Sequence, residues 1–303
     1  MQVREVQNPP LIGSLRCVKV IGSSNGLLCV EIEQSPPLLL LWNPATREIR
    51  PVPRTITTNY FDYDSTVGFG HNPIVNDYKI VKTFAEIDYE ISLVEVYSLS
   101  TGSWKEIELG NLEGVQLFGD AFAANGAIFW YGLRLGVEED GEDDIEVLVS
   151  FDIAMEVFTV IPGPSPSYNL TMYEGKLAAL SSYGIGDCPY YQYYLFDLWV
   201  MEEDIGSSGE RWSWSKKYTS IPCLHHLHPG TIWRNEVVMS GIVGESEHGV
   251  ENNGLKLGLY LFNATTNEFK MFAIPRHNPM CDVFNYVESL VVIGDIDIEE
   301  PSS

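Results

Sequence analysis

A chain of 303 residues that is 45% hydrophobic and 12% aromatic can bury far more core than one small domain requires. Its 42 acidic residues stand against 18 basic ones, a net charge of −24 that repels nucleic-acid phosphate and anionic lipid and attracts a basic protein surface. The composition therefore excludes a nucleic-acid binder and a membrane-surface protein, and leaves solubility and a protein partner as the uses of the acidity.

Cysteine usage places the chain in a reducing compartment, the cytoplasm or nucleus. Cys17, Cys29, Cys188, Cys223 and Cys281 are odd in number, and no two have the CxxC spacing of a metal site. Cys29 lies in an apolar run and reads as a small core residue. No secretory leader is legible in Met1-Gln2-Val3-Arg4-Glu5, and no apolar run reaches the length of a membrane span.

In chain order, residues 1–16 form an N-terminal segment with a short edge strand at 3–6 and a break at Asn8-Pro9-Pro10. The next unit, 17–53, contains two turn signals. Asn25-Gly26 before Leu27-Leu28-Cys29-Val30 is a two-residue hairpin signal. Four leucines then run into Trp42, and Asn43-Pro44-Ala45-Thr46 reads as a turn, since Asn bonds its own backbone and Pro presets φ. A large residue, Ile49, returns seven positions after Trp42.

Both signals recur. Tyr97 is followed by Trp104, Phe151 by Phe158 and Phe262 by Phe269, each seven positions on. Phe196 begins a looser copy that runs through a polar insertion, 202–210, to Trp212, Trp214 and Pro222. The first signal reappears as Asn125-Gly126, Glu174-Gly175 and Arg234-Asn235, with Asn76-Asp77 taking its place in the second unit. The units span 17–53, 65–109, 115–162, 168–222 and 224–275. A period of roughly 50 residues holding four short strands is that of a kelch-like β-propeller blade. An all-β fold follows. The competing architecture is a β-sandwich whose strands share turn composition. Two further strands expected in 282–293 make half a blade, which the N-terminal edge would complete, so the expectation is six blades with the last incomplete. The propeller domain is expected to span 17–293, ahead of an acidic tail, 294–303.

Between blades, Tyr60, Phe61 and Tyr63 are candidate partner anchors, as are Tyr190 and Tyr191. Loop aromatics also fold back to cap a barrel end. Gly68-Phe69-Gly70-His71-Asn72-Pro73 reads as a strand end and turn. The acidic run 138–144 reads as a solvated loop tip and lacks the ligand spacing of a calcium loop. Cys223, His225, His226 and His228 crowd one point of the chain without a distant second ligand pair, so a structural loop outweighs zinc. Signatures of a serine nucleophile, zinc protease, phosphate loop or dinucleotide site are missing. The strands expected to line the channel, at 27–30, 127–130, 176–180 and 236–239, are mostly apolar. The reading is a scaffold without catalytic, metal or cofactor-binding residues; its rival is a propeller hydrolase with polar groups converging on the channel.

The combination of Ile21-Gly22-Ser23-Ser24-Asn25-Gly26, Leu41-Trp42-Asn43-Pro44-Ala45-Thr46-Arg47, Gly68-Phe69-Gly70, Asn76-Asp77-Tyr78-Lys79-Ile80-Val81, Val94-Glu95-Val96-Tyr97 with Trp104, and Tyr286-Val287-Glu288-Ser289-Leu290-Val291 resembles the plant F-box associated domain, type 1. That family includes F-box/kelch-repeat and S-locus F-box proteins. The resemblance implies a propeller that recruits protein targets to a Skp–cullin–F-box ubiquitin ligase, with a Skp-type adaptor engaged only if an F-box lies upstream. In S-locus members the targets are basic ribonucleases. Met1 lies too close to the Gly-Ser-Ser-Asn-Gly motif for an F-box to fit between them. A ligase-independent binding protein or decoy is thus the alternative implied.

Overall fold

The computed structural model describes residues 18–34, 36–57, 65–86, 89–136, 144–164, 168–185, 193–206, 209–221, 227–234, 236–243, 256–263, 266, 268–273 and 285–294. Among them, twenty strands form five four-stranded sheets in which each strand pairs with its neighbours in the chain. The first sheet holds β1 (Val18–Ser24), β2 (Leu27–Ile32), β3 (Leu38–Asn43) and β4 (Glu48–Pro51). The second holds β5 (Val67–Asn72), β6 (Asp77–Ala85), β7 (Ile91–Ser98) and β8 (Ser103–Ile107), and the third β9 (Val115–Ala124), β10 (Ala127–Arg134), β11 (Ile145–Asp152) and β12 (Val157–Pro162). The fourth holds β13 (Tyr168–Tyr173), β14 (Lys176–Ile185), β15 (Tyr193–Gly206) and β16 (Gly209–Thr219), and the fifth β17 (Leu227–Trp233), β18 (Glu236–Val243), β19 (Lys256–Asn263) and β20 (Glu268–Ala273). The chain divides into two compact units. One comprises Met1–Trp130, Ser150–Thr159 and Tyr286–Ser303, the other Tyr131–Val149 and Val160–Asn285.

Two kinds of turn join the strands. The two-residue kind joins the first strand to the second in the first, third and fourth sheets. Asn25 and Gly26 have φ of 43° and 85°, and Asn125-Gly126 and Glu174-Gly175 repeat the pattern. Positive φ at both central positions is what a type I′ hairpin demands, and it matches the strand twist. The four-residue kind starts with Asn or Asp. Asn43 Oδ1 accepts from the amides of Ala45 (2.9 Å) and Thr46 (3.4 Å), and Arg47 N closes on Asn43 O at 2.8 Å with Arg47 at φ 66°. Asp152 does the same with Ala154 and Met155, and Asn72 with Ile74 and Val75. Asn76-Asp77 therefore closes a four-residue turn, where the sequence suggested the two-residue kind.

The seven-residue spacing is a cross-strand pair straddling this turn. Trp42 opposes Ile49, Tyr97 opposes Trp104 and Phe262 opposes Phe269. The Phe151 and Phe158 rings lie 4.9 Å apart. Tyr97, Phe151 and Phe262 are wholly buried, so each pair roots its hairpin in the core. In the fourth sheet Phe196 meets Tyr218 at 6.0 Å, not Trp212 or Trp214. The polar stretch 202–210, expected as a loop, instead continues the β15–β16 ladder out to Gly206 opposite Gly209.

In the first unit, β1, β5 and β9 lie against one another, so the strands that converge are the first of each sheet. The sequence had assigned that place to the strands after the two-residue turns. β5 ends at Asn72 and the turn begins at Pro73, as the stretch 68–73 suggested, with Gly68 and Gly70 inside the strand. A Cβ on Gly68 would come 2.3 Å from Trp130 and one on Gly70 2.8 Å from Ile153. These glycines let the third sheet approach β5. Lys79 and Lys105 both reach Glu156 in the β11–β12 turn. Burial pushes the Glu156 carboxyl up, but hydrogen bonds from Lys105 and Lys79 outweigh it and hold its pKa below the usual value. In the second unit, Thr171 and Thr231 share a hydroxyl contact at 3.2 Å, and Asn169 Nδ2 donates to Pro229 O at 2.8 Å.

The expected sixth, incomplete blade is absent: five sheets form among the described residues, and 285–294 carries no strand. Residues 286–294 are instead an extended strap on the first unit. Asn43 Nδ2 donates to Ser289 O (3.0 Å) and Val291 O (2.7 Å), and Arg50 Nη1 to Ile293 O (2.8 Å). Ile293 sinks into the core beside Leu27 and Leu41. Side-chain clamps replace a strand ladder here, with Asn43 at the end of β3 and Arg50 on β4 holding the strap through their side chains. The N-terminal edge strand expected at 3–6 lies outside the described residues.

Asn43→Ala removes the turn acceptor and leaves two strap carbonyls without their donor, which costs about 2–4 kcal/mol. Denaturant unfolding should show that loss, and hydrogen exchange at Ile293 should accelerate. Because the folded pKa of Glu156 is depressed, its stabilisation is present above the unfolded value and is lost as pH falls. Glu156→Gln is therefore less stable than wild type at pH 7, and urea midpoints of the two should converge below about pH 4.

Candidate functional site

A cavity of about 460 Å³ opens in the first unit, where β1, β5 and β9 converge. The sequence dictates its two-tier character. Alternating strand residues point inward, and Ile21, Val67, Thr83 and Ile91 form a buried floor. The Thr66 and Thr83 hydroxyls bond across that floor at 2.8 Å, so the buried polar atoms are satisfied. Polar and aromatic side chains make the rim. Lys19 of β1 and Asp120 of β9 form an exposed ion pair at 2.8 Å, and Glu31 of β2 lies in the wall.

Two aromatics stand at the rim. Phe118 on β9 is 39% exposed, and Tyr89, just before β7, is 54% exposed. Gly119 has φ 69° with open space where a Cβ would be, so its backbone conformation rather than crowding calls for glycine. Tyr89 adopts the same region at φ 66° without being glycine. Its amide bonds Glu86 O at 3.0 Å, and Glu86 N bonds Glu90 O at 3.0 Å. A tyrosine in the left-handed region stores about 1 kcal/mol or more of strain. The backbone of Tyr89 closes this turn while its ring stands exposed, and strained residues cluster at ligand sites. Beneath the wall, Cys29 is fully buried; burial first and the Glu31 charge second raise its thiol pKa, so it is an unreactive core residue as the sequence suggested.

None of this rim was singled out in the sequence. Tyr60, Phe61, Tyr63, Tyr190 and Tyr191 lie outside the described residues, although Ser65, just after the first group, lines the cavity. So do 138–143 of the acidic run and Cys223, His225 and His226; His228 lies on β17 and is exposed. Among the described residues no group of three His, Cys, Asp or Glu could hold a metal ion, and no helix is long and apolar enough to cross a membrane. The available signal was a lone aromatic within Glu86-Ile87-Asp88-Tyr89-Glu90 and another beside Gly119, each indistinguishable from a solvated loop until the strands are placed.

Five sheets of this form are the blades of a β-propeller. The chain belongs to the family described as the F-box associated beta propeller domain, which it matches over residues 6–288. It is 30% identical over 262 residues to F-box protein CPR1 of Arabidopsis thaliana, covering 75% of this chain and 59% of that protein. It is 26% identical over 285 residues to F-box/kelch-repeat protein At3g23880 of the same plant, covering 92% of this chain and 70% of that protein. The chain spans between 46% and 59% of the length of CPR1 and two further Arabidopsis F-box proteins that it matches. Among solved structures, the β-propeller domain of the Trilobed protease from Pyrococcus furiosus aligns with a TM-score of 0.46 at 11% identity, over 86% of this chain and 71% of that one.

Tyr89→Gly relieves the left-handed strain and should stabilise the fold by about 0.5–1 kcal/mol, net of the entropy glycine adds to the unfolded chain. Thermal unfolding should show a higher Tm.

Proposed function

We propose that this domain recognises protein targets for a Skp–cullin–F-box ubiquitin ligase and acts by binding rather than by catalysis. The observation that carries the reading is membership of the F-box associated family along nearly the whole chain, together with relatives that are F-box proteins. Those relatives are longer than the region matched, which leaves room in them for a part that engages a ligase core. A Skp-type adaptor is then a partner of the full-length protein when an F-box accompanies this domain, and the site of action is the cytoplasm or nucleus.

The target contacts the cavity rim in the first unit. Concavity, a satisfied floor and exposed aromatics are the ingredients of a recognition site. A net charge of −24 speeds encounter with a basic target.

The test is affinity purification of the tagged protein expressed from its native locus, read by mass spectrometry. A Skp-type adaptor and cullin should co-purify, along with a protein that accumulates when the gene is deleted. Recovery of partner proteins without the ligase core from an intact, full-length protein would replace this reading with a ligase-independent binding protein.

A further inference from the structure

Building on the target-recognition reading, we propose that the cavity bounded by β1, β5 and β9 receives an arginine side chain of the protein target. The rim supplies what a guanidinium requires. Tyr89 and Phe118, both exposed, are among the lining residues, and a guanidinium stacks on aromatic rings as a compact ammonium does less well. Asp120 offers a carboxylate that a planar fork can engage through two parallel hydrogen bonds. Glu31 adds a second carboxylate in the wall, and Lys19 is the one cation among the lining residues, so the cavity carries net negative charge. Its apolar floor of Ile21 and Val67 suits the methylene stem behind the charged head.

Lys19 occupies the place that the incoming cation takes. Its ion pair with Asp120 is solvent-exposed on both sides, with side-chain exposures of 53% and 42%, and such pairs exchange readily. The lysine acts as a stand-in that a target arginine displaces from Asp120. This gives a prediction of unusual sign: deleting a positive charge from the site should strengthen binding of a positive ligand. Tyr89 fits the same picture, because its left-handed backbone sets an exposed ring among the lining residues.

The experiment is an NMR titration of the isotope-labelled 303-residue chain with N-acetyl-arginine methylamide, and with its uncharged citrulline counterpart. The arginine probe should shift the amides of Tyr89, Gly119 and Asp120 with a Kd on the order of millimolar. Citrulline and the Asp120→Asn variant should each bind about tenfold more weakly, as loss of a charge-assisted pair dictates. Lys19→Gln should bind the arginine probe several-fold more tightly, and Tyr89→Gly, folded and with a raised Tm, several-fold more weakly.

The proposal is overturned by shifts scattered over the acidic surface, by equal binding of citrulline, by weakening in Lys19→Gln or by the absence of any saturable shift. Weakening in Lys19→Gln would mark an anion site. The two readings fail separately. A target that co-purifies with the ligase core and still binds Asp120→Asn and Tyr89→Gly removes the arginine pocket but leaves target recognition standing. If no ligase core co-purifies, the ligase reading is lost whatever the probe does.

Discussion

A buried asparagine amide does two jobs at each of two turns in the first unit, and the contacts between its elements depend on them. At Asn43 the side-chain oxygen closes the turn that ends β3, while the nitrogen reaches across to the strap. At Asn72 the oxygen again closes its own turn, and the nitrogen donates to Gly126 O in the next sheet at 3.2 Å. Both side chains are buried, so neither end can be left without a partner cheaply. Turn closure and contact with the neighbouring element are thereby one event. An aspartate in that role keeps the first function and lacks the second donor, as at Asp152, where Ile153 N bonds Gly126 O within the same sheet.

The same need to bring sheets close explains the glycines of β5. A sheet with both faces apolar is stable only between neighbours, and the neighbour here carries a wholly buried tryptophan, Trp130. Removing the Cβ at Gly68 and Gly70 is what admits that ring and Ile153 beside it. Where the first strands pull apart at their other ends the packing gives way to the cavity, with polar and aromatic residues around it. Tight approach at one level and an opening at another come from a single set of converging strands.

The sheets were legible because their signals are local. Asn25-Gly26 and Asn125-Gly126 specify a turn by φ alone, and the Tyr97–Trp104 spacing specifies a hairpin by cross-strand contact. The strap was not legible. Val287, Leu290 and Val292 face solvent while Val291 and Ile293 face the core, an alternation that any strand would show. What distinguishes strap from strand is its partner, Asn43 and Arg50 at the far end of the chain, and no local pattern encodes that. The site was hidden for the same reason. Tyr89, Phe118, Lys19 and Asp120 are ordinary surface residues in sequence and meet only through the convergence of β1, β5 and β9. The channel-lining strands were misjudged because the apolar run after each Asn-Gly marks the better-buried second strand, not the first.

The strap also sets an order of events during biosynthesis. Asn43 leaves the ribosome well ahead of Ser289 and Val291, whose carbonyls it serves, so the first sheet waits for 246 further residues before its buried amide finds a partner. Contacts of such long sequence separation form late and slow the search for the native state. A nascent chain stalled before residue 289 would hold a first sheet with an unmet donor and an uncovered core around Leu27 and Leu41, surface that chaperones recognise in incomplete proteins. The first sheet is thus completed by chain made long after it, through a single side chain.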